Sequence, residues 1–342
     1  MAPITGVFVN SRKQKLHTLK YPAKGKAVAQ LFLHHGLAEH SGRYDNVCQT
    51  LADQGIEVNT FDAHGHGRSE PTDAGGRAFI GNYKHLVDDM CDFMDHIHKE
   101  ESAAAAAPAA AGGGAAAGAA APAGDAAAAA AAPGGKLPVF VLGHSMGGLV
   151  AALTALRRQE QLAGVMLHSP ALDVEWNPVL RVQAAVGGIM SALVPHAKLV
   201  PAVRPEDMSQ DPAVVASYVS DPLNTQGNVR ARTGNEMLRG FAEVGKNASK
   251  LQLPVYVSHG TKDACTSAAA SRRFVEGPGG VSSADKTFRS VGGGYHELLH
   301  GPEWRDCTAH IADWIKAHAA GKEAASGKGA EQGSGSGSGS KL

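Results

Sequence analysis

Short apolar runs alternate along this chain with longer stretches in which apolar residues recur every three or four positions. Residues 28–33, 56–61, 139–142, 164–168, 254–258 and 286–291 have the length and β-prone content of strands. Residues 6–21 read as two further strands joined by a basic turn at Ser11-Arg-Lys-Gln-Lys15. Helices are predicted over about 44–53, 83–99, 149–156 and 303–318. In the second of these Leu86, Met90, Phe93 and Ile97 fall at helical spacing, and in the last Ile311, Trp314 and Ile315 do so. Strands alternating with helices predict an α/β fold, with a mostly parallel central sheet covered by helices on both faces.

Three stretches break that rhythm. Residues 102–135 are almost entirely Ala, Gly and Pro, with Pro108, Pro122 and Pro133 interrupting the polyalanine. This low-complexity insert reads as an extended surface loop. Residues 171–250 show no alternating strands and read as a helical cap, inserted before the last two strands of a core formed by 1–170 and 251–320. Within it, 178–194 is an apolar run that reads either as a buried helix or as a lid, whose apolar face covers a lipid pocket or docks peripherally on a membrane surface. From 321 the chain turns to Gly, Ser, Ala and Lys, a composition expected to form a flexible tail. It ends in Ser340-Lys341-Leu342, the tripeptide read by the peroxisomal import receptor, so a peroxisomal location is expected, and otherwise a cytoplasmic one.

Composition narrows the picture. Lys and Arg total 32 against 32 Asp and Glu, which leaves no basic footprint for nucleic acid. Four cysteines, Cys48, Cys91, Cys265 and Cys307, form no C-x-x-C pair, so neither a zinc site nor a disulfide framework is suggested. No signal-peptide pattern opens the chain, and no run reaches the roughly 20 apolar residues of a membrane span.

The chemistry centres on Gly143-His144-Ser145-Met146-Gly147, placed between a predicted strand and a predicted helix. A G-x-S-x-G at a strand-to-helix turn is a nucleophile elbow, with its serine held out at the carboxyl edge of the sheet. A serine hydroxyl is a weak nucleophile and needs a base that is itself held by an acid. In the α/β-hydrolase arrangement these follow in the order Ser, acid, His, and this chain offers Ser145, Asp263 and His296. His296 follows a Gly-rich turn after the last strand; Asp173, after an earlier strand, is the rival acid. Two backbone N–H groups must receive the oxyanion: Met146, after the nucleophile, and Leu37, just past His35-Gly36. Histidines 34, 35, 64, 66 and 144 match no metal-ligand spacing and read as turn and pocket residues; no cofactor is expected.

Together, the segments His35-Gly-Leu-Ala-Glu-His-Ser-Gly-Arg-Tyr44, Asp62-Ala-His-Gly-His-Gly-Arg-Ser69, Gly143-His-Ser-Met-Gly-Gly148 and Tyr295-His-Glu-Leu-Leu299 resemble the monoacylglycerol lipase family, which includes lysophospholipase-like serine hydrolases. Tyr218-Val-Ser-Asp-Pro-Leu223 looks like a segment of that family's cap. The resemblance implies an α/β-hydrolase core with a cap over an apolar acyl tunnel, and cleavage of monoacylglycerol to fatty acid and glycerol through an acyl-enzyme. It maps the triad onto Ser145, Asp263 and His296, the oxyanion donors onto Leu37 and Met146, and glycerol-recognising groups onto Glu39, Arg43, His144 and Tyr218. Leu37 is larger than the usual residue at its place, and a shortened segment after Asp263 leaves the place of Cys265 open. Hydrolysis of lysophospholipid, thioester or other carboxylic esters uses the same groups. Acyl transfer is a further variant, since 40–45 fits H-x-x-x-x-D, and a hydrolase-fold receptor is the non-enzyme alternative.

Overall fold

The computed structural model describes residues 2–106, 136–201 and 203–331. In chain order the elements are β1 (Ile4–Val9), β2 (Lys15–Tyr21), β3 (Ala29–His34), α1 (Asp45–Asp53), β4 (Ile56–Phe61), α2 (Tyr83–Ala106), β5 (Val139–His144), α3 (Met146–Arg158) and β6 (Gly164–His168). Then come α4 (Pro178–Leu193), β7 (Lys198–Val200), α5 (Pro212–Ser220), β8 (Val229–Arg230), α6 (Ala231–Asn247), β9 (Val255–Gly260), α7 (Ala268–Glu276), β10 (Lys286–Val291) and α8 (Trp304–Glu331). Eight strands form one sheet in the order β1-β2-β4-β3-β5-β6-β9-β10, antiparallel at β1-β2 and β2-β4 and parallel elsewhere.

Side-chain alternation sends each central strand to both faces. Phe32, Val141, Val165, Leu167, Val255 and Val257 enter one buried cluster with α2 and α3. Their neighbours Leu31, Leu33, Phe140, Leu142, Met166 and Tyr256 enter the other, with α1 and α8. A sheet buried on both faces is why these strands read as continuous apolar runs instead of alternating ones. The register lines up the carboxyl ends. His34 pairs with Gly143, His144 with His168, His168 with Ser258, and Gly260 with Val291.

Several expectations are corrected in detail. α2 runs on to Ala106, beyond the end expected near Lys99, because the start of the Ala run is strong helix former. Residues 107–135 of the Ala-rich insert lie outside the described residues, as do Ser340, Lys341 and Leu342. α8 continues to Glu331, into the segment read as tail, where Ala, Lys and Glu favour helix. The insertion at 171–250 is not purely helical, since β7 and β8 pair as a small antiparallel ribbon between α4 and α6. α4 is not a buried helix: Val182, Val186, Ile189 and Leu193 are 64, 51, 62 and 73 % exposed. No described helix is long and apolar enough to cross a membrane.

Candidate active site

Because β5 stops at His144 and α3 starts at Met146, Ser145 alone makes the turn, at φ 55° and ψ −121°. A non-glycine residue there is strained, and the surroundings hold it. Ser145 N–H donates to His168 O (3.1 Å), while Ser145 O accepts from the N–H groups of Gly148 and Ala171 (both 2.9 Å). The flanking glycines are needed for close approach. A Cβ on Gly143 would overlap the Gly147 carbonyl, and one on Gly147 would overlap the His34 carbonyl.

Asp263 and His296 meet as the order of residues predicts. His296 Nδ1 lies 2.8 Å from Asp263 Oδ2. Asp263 Oδ1 accepts from the N–H groups of Cys265 (2.7 Å) and Thr266 (3.0 Å). Burial alone would raise the Asp263 carboxyl, but the His296 charge and the hydrogen bonds from His259 and His296 outweigh it and hold the group far below the usual carboxylate range. Asp173, the rival acid, points elsewhere. Its carboxylate accepts from Val174 N–H and Trp176 Nε1–H and sits 3.9 Å from Arg273.

Ser145 and His296 both line one cavity of about 790 Å³, together with Leu37, Met146, Thr266 and Cys265. Cys265 therefore does reach the site. The cavity's far walls come from α4, the ribbon, the segment just after β7 and α6, including Val182, Met190, Leu199, Val203 and Phe241. α4 thus lines the cavity through Val182, Val186 and Met190 and leaves Ile189 and Leu193 exposed outside that lining. Met146 opens α3, where the first-turn N–H groups have no intrahelical acceptor.

The four residues mapped to glycerol recognition fall into two groups. Glu39, His144 and Tyr218 line the cavity, whereas Arg43 stands behind it with its guanidinium 5.0 Å from the Tyr218 ring centroid. Glu39 is already engaged: Oε1 accepts from Gly36 N–H and Tyr44 O–H (both 2.6 Å), and Oε2 pairs with Arg43. Arg43 also donates to Glu297 Oε2 at 3.0 Å. His144 Nδ1 lies 2.9 Å from the Tyr44 hydroxyl and its Nε2 lies 3.2 Å from His296 O. Burial would lower the His144 imidazole, but its hydrogen bond to Glu39 and the charges of Glu297 and Glu39 raise it overall. Burial would likewise raise Glu39 and Glu297; the Arg43 charge reverses this and leaves both carboxyls well below the ordinary value.

The turn histidines are structural. His35, pushed down to about 3 by burial, accepts the Ala63 N–H on Nε2 (2.9 Å) and donates from Nδ1 to Gly36 O (2.7 Å). His34 and His66 are also pushed down by burial, to about 4 and about 3. Asp62 explains its motif, since it accepts from Ser41 N–H (2.8 Å), Ser41 O–H (2.6 Å) and Arg68 N–H (2.8 Å) and so anchors the loop after β3. The H-x-x-x-x-D pattern does not form a site. His40 pairs with Asp221 of the cap at 2.8 Å, and Asp45 accepts from Tyr21 O–H at 3.1 Å. Among the described residues two groups could approach a metal: Asp263 with Cys265 and His296, and Glu39 with Glu297 and His300. In the second, Arg43 already bridges both carboxylates.

Sequence reasoning missed Tyr44, His259, Thr266 and Glu297. Tyr44 and Glu297 lie inside the quoted motifs, and His259 is next to last in a strand at the active edge, so position alone could have flagged these three. Comparison with known proteins agrees with the fold. A family model described as Hydrolase_4, serine aminopeptidase, S33, matches residues 25–133 and 123–303. Human monoglyceride lipase is 27% identical over 316 residues, 92% of this chain and 90% of that one. A monoacylglycerol lipase of Mycolicibacterium smegmatis is 28% identical over 288 residues, covering 84% and 87%. The crystal structure of Paleococcus ferrophilus monoacylglycerol lipase superposes with a TM-score of 0.68 at 26% identity, covering 89% of this chain and 99% of that one.

The buried carboxylates predict an acid-sensitive fold. Glu297 is depressed when folded, so its contribution is fully present above the unfolded value near about 4.3 and is lost as pH falls toward the folded one. Urea unfolding between about pH 5 and 3 should show stability falling with acid, and Glu297→Gln should remove up to about 1.4 kcal/mol per pH unit of that slope. An unchanged slope would refute this role.

Proposed function

The chain belongs to the serine aminopeptidase S33 family of α/β-hydrolases, and from that premise we propose that this serine hydrolase cleaves monoacylglycerol to fatty acid and glycerol. One observation carries the reading: a largely apolar cavity of about 790 Å³ that ends on Ser145 and His296. The acyl chain lies along the walls from α4 and α6, and the alcohol portion lies at the polar end beside Glu39, His144 and Tyr218. Ser145 Oγ attacks the ester carbonyl while His296 takes its proton, with Asp263 orienting the ring and offsetting its charge. The N–H groups of Leu37 and Met146 receive the oxyanion. The alcohol leaves with the proton from His296, and water activated by the same base releases the acid from Ser145. Names of relatives support the substrate class at about a quarter identity.

In addition, we propose that α4 rests on the lipid surface that supplies substrate, through the exposed Ile189 and Leu193 beside the cavity-lining Val182 and Val186. Where Ser340-Lys341-Leu342 is a free carboxyl terminus, it directs the chain to peroxisomes.

Release of fatty acid from 2-oleoylglycerol, beside a lysophospholipid, a thioester and a short-chain ester, tests the substrate. The monoacylglycerol should be turned over fastest, and Ser145→Ala should lower turnover by at least about 10⁴-fold with the fold intact. Retained activity in that variant would overturn the mechanism, and cleavage of the other esters alone would overturn the substrate. Product release in the presence of an acyl acceptor separates transfer from hydrolysis, while binding without turnover would favour the receptor alternative. Sedimentation with vesicles should fall when Ile189 and Leu193 are both changed to Ser; no sedimentation of the parent protein would sink the lipid-surface proposal. A fluorescent fusion placed before the tail should enter peroxisomes and stay cytosolic when Leu342 is deleted, and a cytosolic parent fusion would refute import.

A further inference from the structure

Asp263 is held by more than one imidazole. Besides His296 Nδ1 at 2.8 Å, His259 Nε2 lies 3.0 Å from the same Oδ2. The Thr266 hydroxyl donates to that oxygen at 2.9 Å and reaches Ser169 O at 3.0 Å. His259 is the penultimate residue of β9 and is 1 % exposed, and it does not line the cavity. Its other nitrogen, Nδ1, is 2.9 Å from the hydroxyl of Ser271 on α7, which is fully buried.

The chemistry of these partners fixes the ring. An ionised carboxylate only accepts, so His259 Nε2 carries the proton that it shares with Oδ2. In the neutral ring Nδ1 is then the acceptor of the Ser271 hydroxyl. The chain of bonds runs from Ser271 to His259 to Asp263, and from His296 to Asp263 on the other side. We propose that His259 is a positioning residue, a second imidazole donor that fixes the rotation of the Asp263 carboxylate and tempers its charge toward His296. The proposal rests on the reading of Asp263 as the acid that orients His296.

Two consequences separate this role from simple packing. Without the His259 donor, Asp263 turns more freely, so His296 is less often aligned and kcat falls. The carboxylate, relieved of one donor, also holds the His296 proton more tightly, so the acid limb of the kcat/KM profile moves to higher pH. KM stays constant because His259 does not meet the substrate cavity.

The test uses the full chain and the ester on which it is most active. His259→Leu removes the donor, whereas His259→Gln places an amide N–H where Nε2 was. His259→Leu should lower kcat about tenfold and move the acid limb up by about half to one pH unit, with His259→Gln close to the parent. Ser271→Ala, which frees the ring without removing it, should shift the limb in the same direction by less. The downfield proton of His296 Nδ1 should move in His259→Leu and stay in His259→Gln. An unmoved acid limb in His259→Leu, whatever the loss of kcat, overturns the proposal. If His259→Leu fails to fold, Ser271→Ala decides it: an unmoved acid limb in that variant, or a limb in His259→Gln displaced as far as in Ser271→Ala, overturns the proposal. Asp263→Asn is the control: full activity there defeats the reading of Asp263 itself, while an inactive Asp263→Asn beside an unmoved His259→Leu profile defeats only the positioning role.

Discussion

Parallel pairing of β3, β5, β6, β9 and β10 brings segments from across the sequence to one edge. Parallel strands must be joined by crossovers, so every carboxyl end emerges on the same side of the sheet. The register then sets them level, with His34 beside Gly143, His144 beside His168 and Gly260 beside Val291. The loop carrying Leu37, the Ser145 turn, the Asp263 turn and the His296 loop consequently open onto one cavity. A slip of one residue in any of these strands would turn its side chains from one face to the other and carry its terminal residue out of the cavity. The two apolar clusters that sandwich the sheet are what forbid such a slip.

Above that edge, buried charge takes over from apolar packing. Glu39 and Glu297 are both nearly inaccessible and both bonded to Arg43. Such pairs add little net stability, because desolvation offsets attraction, yet breaking one leaves a buried charge uncompensated. Their effect here is geometric. Glu39 accepts from Gly36, the residue before Leu37, while Tyr44 links it to His144, whose other nitrogen faces the His296 carbonyl. One connected network therefore spans the loop after β3, the nucleophile turn and the histidine loop.

How much of this was legible in the sequence follows from range. Strands and helices were legible because their signals are local, and Ser145, Asp263 and His296 because strand ends mark them. Asp263 could be preferred over Asp173 on turn chemistry alone, and it is Asp263 whose carboxylate lies 2.8 Å from His296 Nδ1. What stayed hidden was partnership at long range. Nothing in the sequence says that Arg43 turns inward to Glu297, or that His40 reaches Asp221 rather than Asp45. Helix ends were misplaced where composition is nearly uniform, as at Ala106 and Glu331, because propensity gives no stop signal there. The β7–β8 ribbon was missed because its strands are too short to show a period.

The cap has two ends of different character, and this follows from where its bonds fall. Near the active edge, Thr225 N–H donates to Ala38 O at 2.8 Å, Arg77 donates to Leu223 O at 2.6 Å, and His40 meets Asp221. The Ala38 and His40 contacts land on the loop that carries Leu37, already fixed from below by Asp62 and Glu39, and the Arg77 contact lands on the segment between β4 and α2. Further out, α4 contributes to the cavity wall while one of its faces stays uncovered. Local stability tracks such contact density, so the polar end of the cavity is its firm end and the α4 wall its soft one. On the proposed reading, an ester meets a rigid frame at its reacting carbonyl, where a misplaced atom costs most, and an adaptable wall along its chain, where chain length varies.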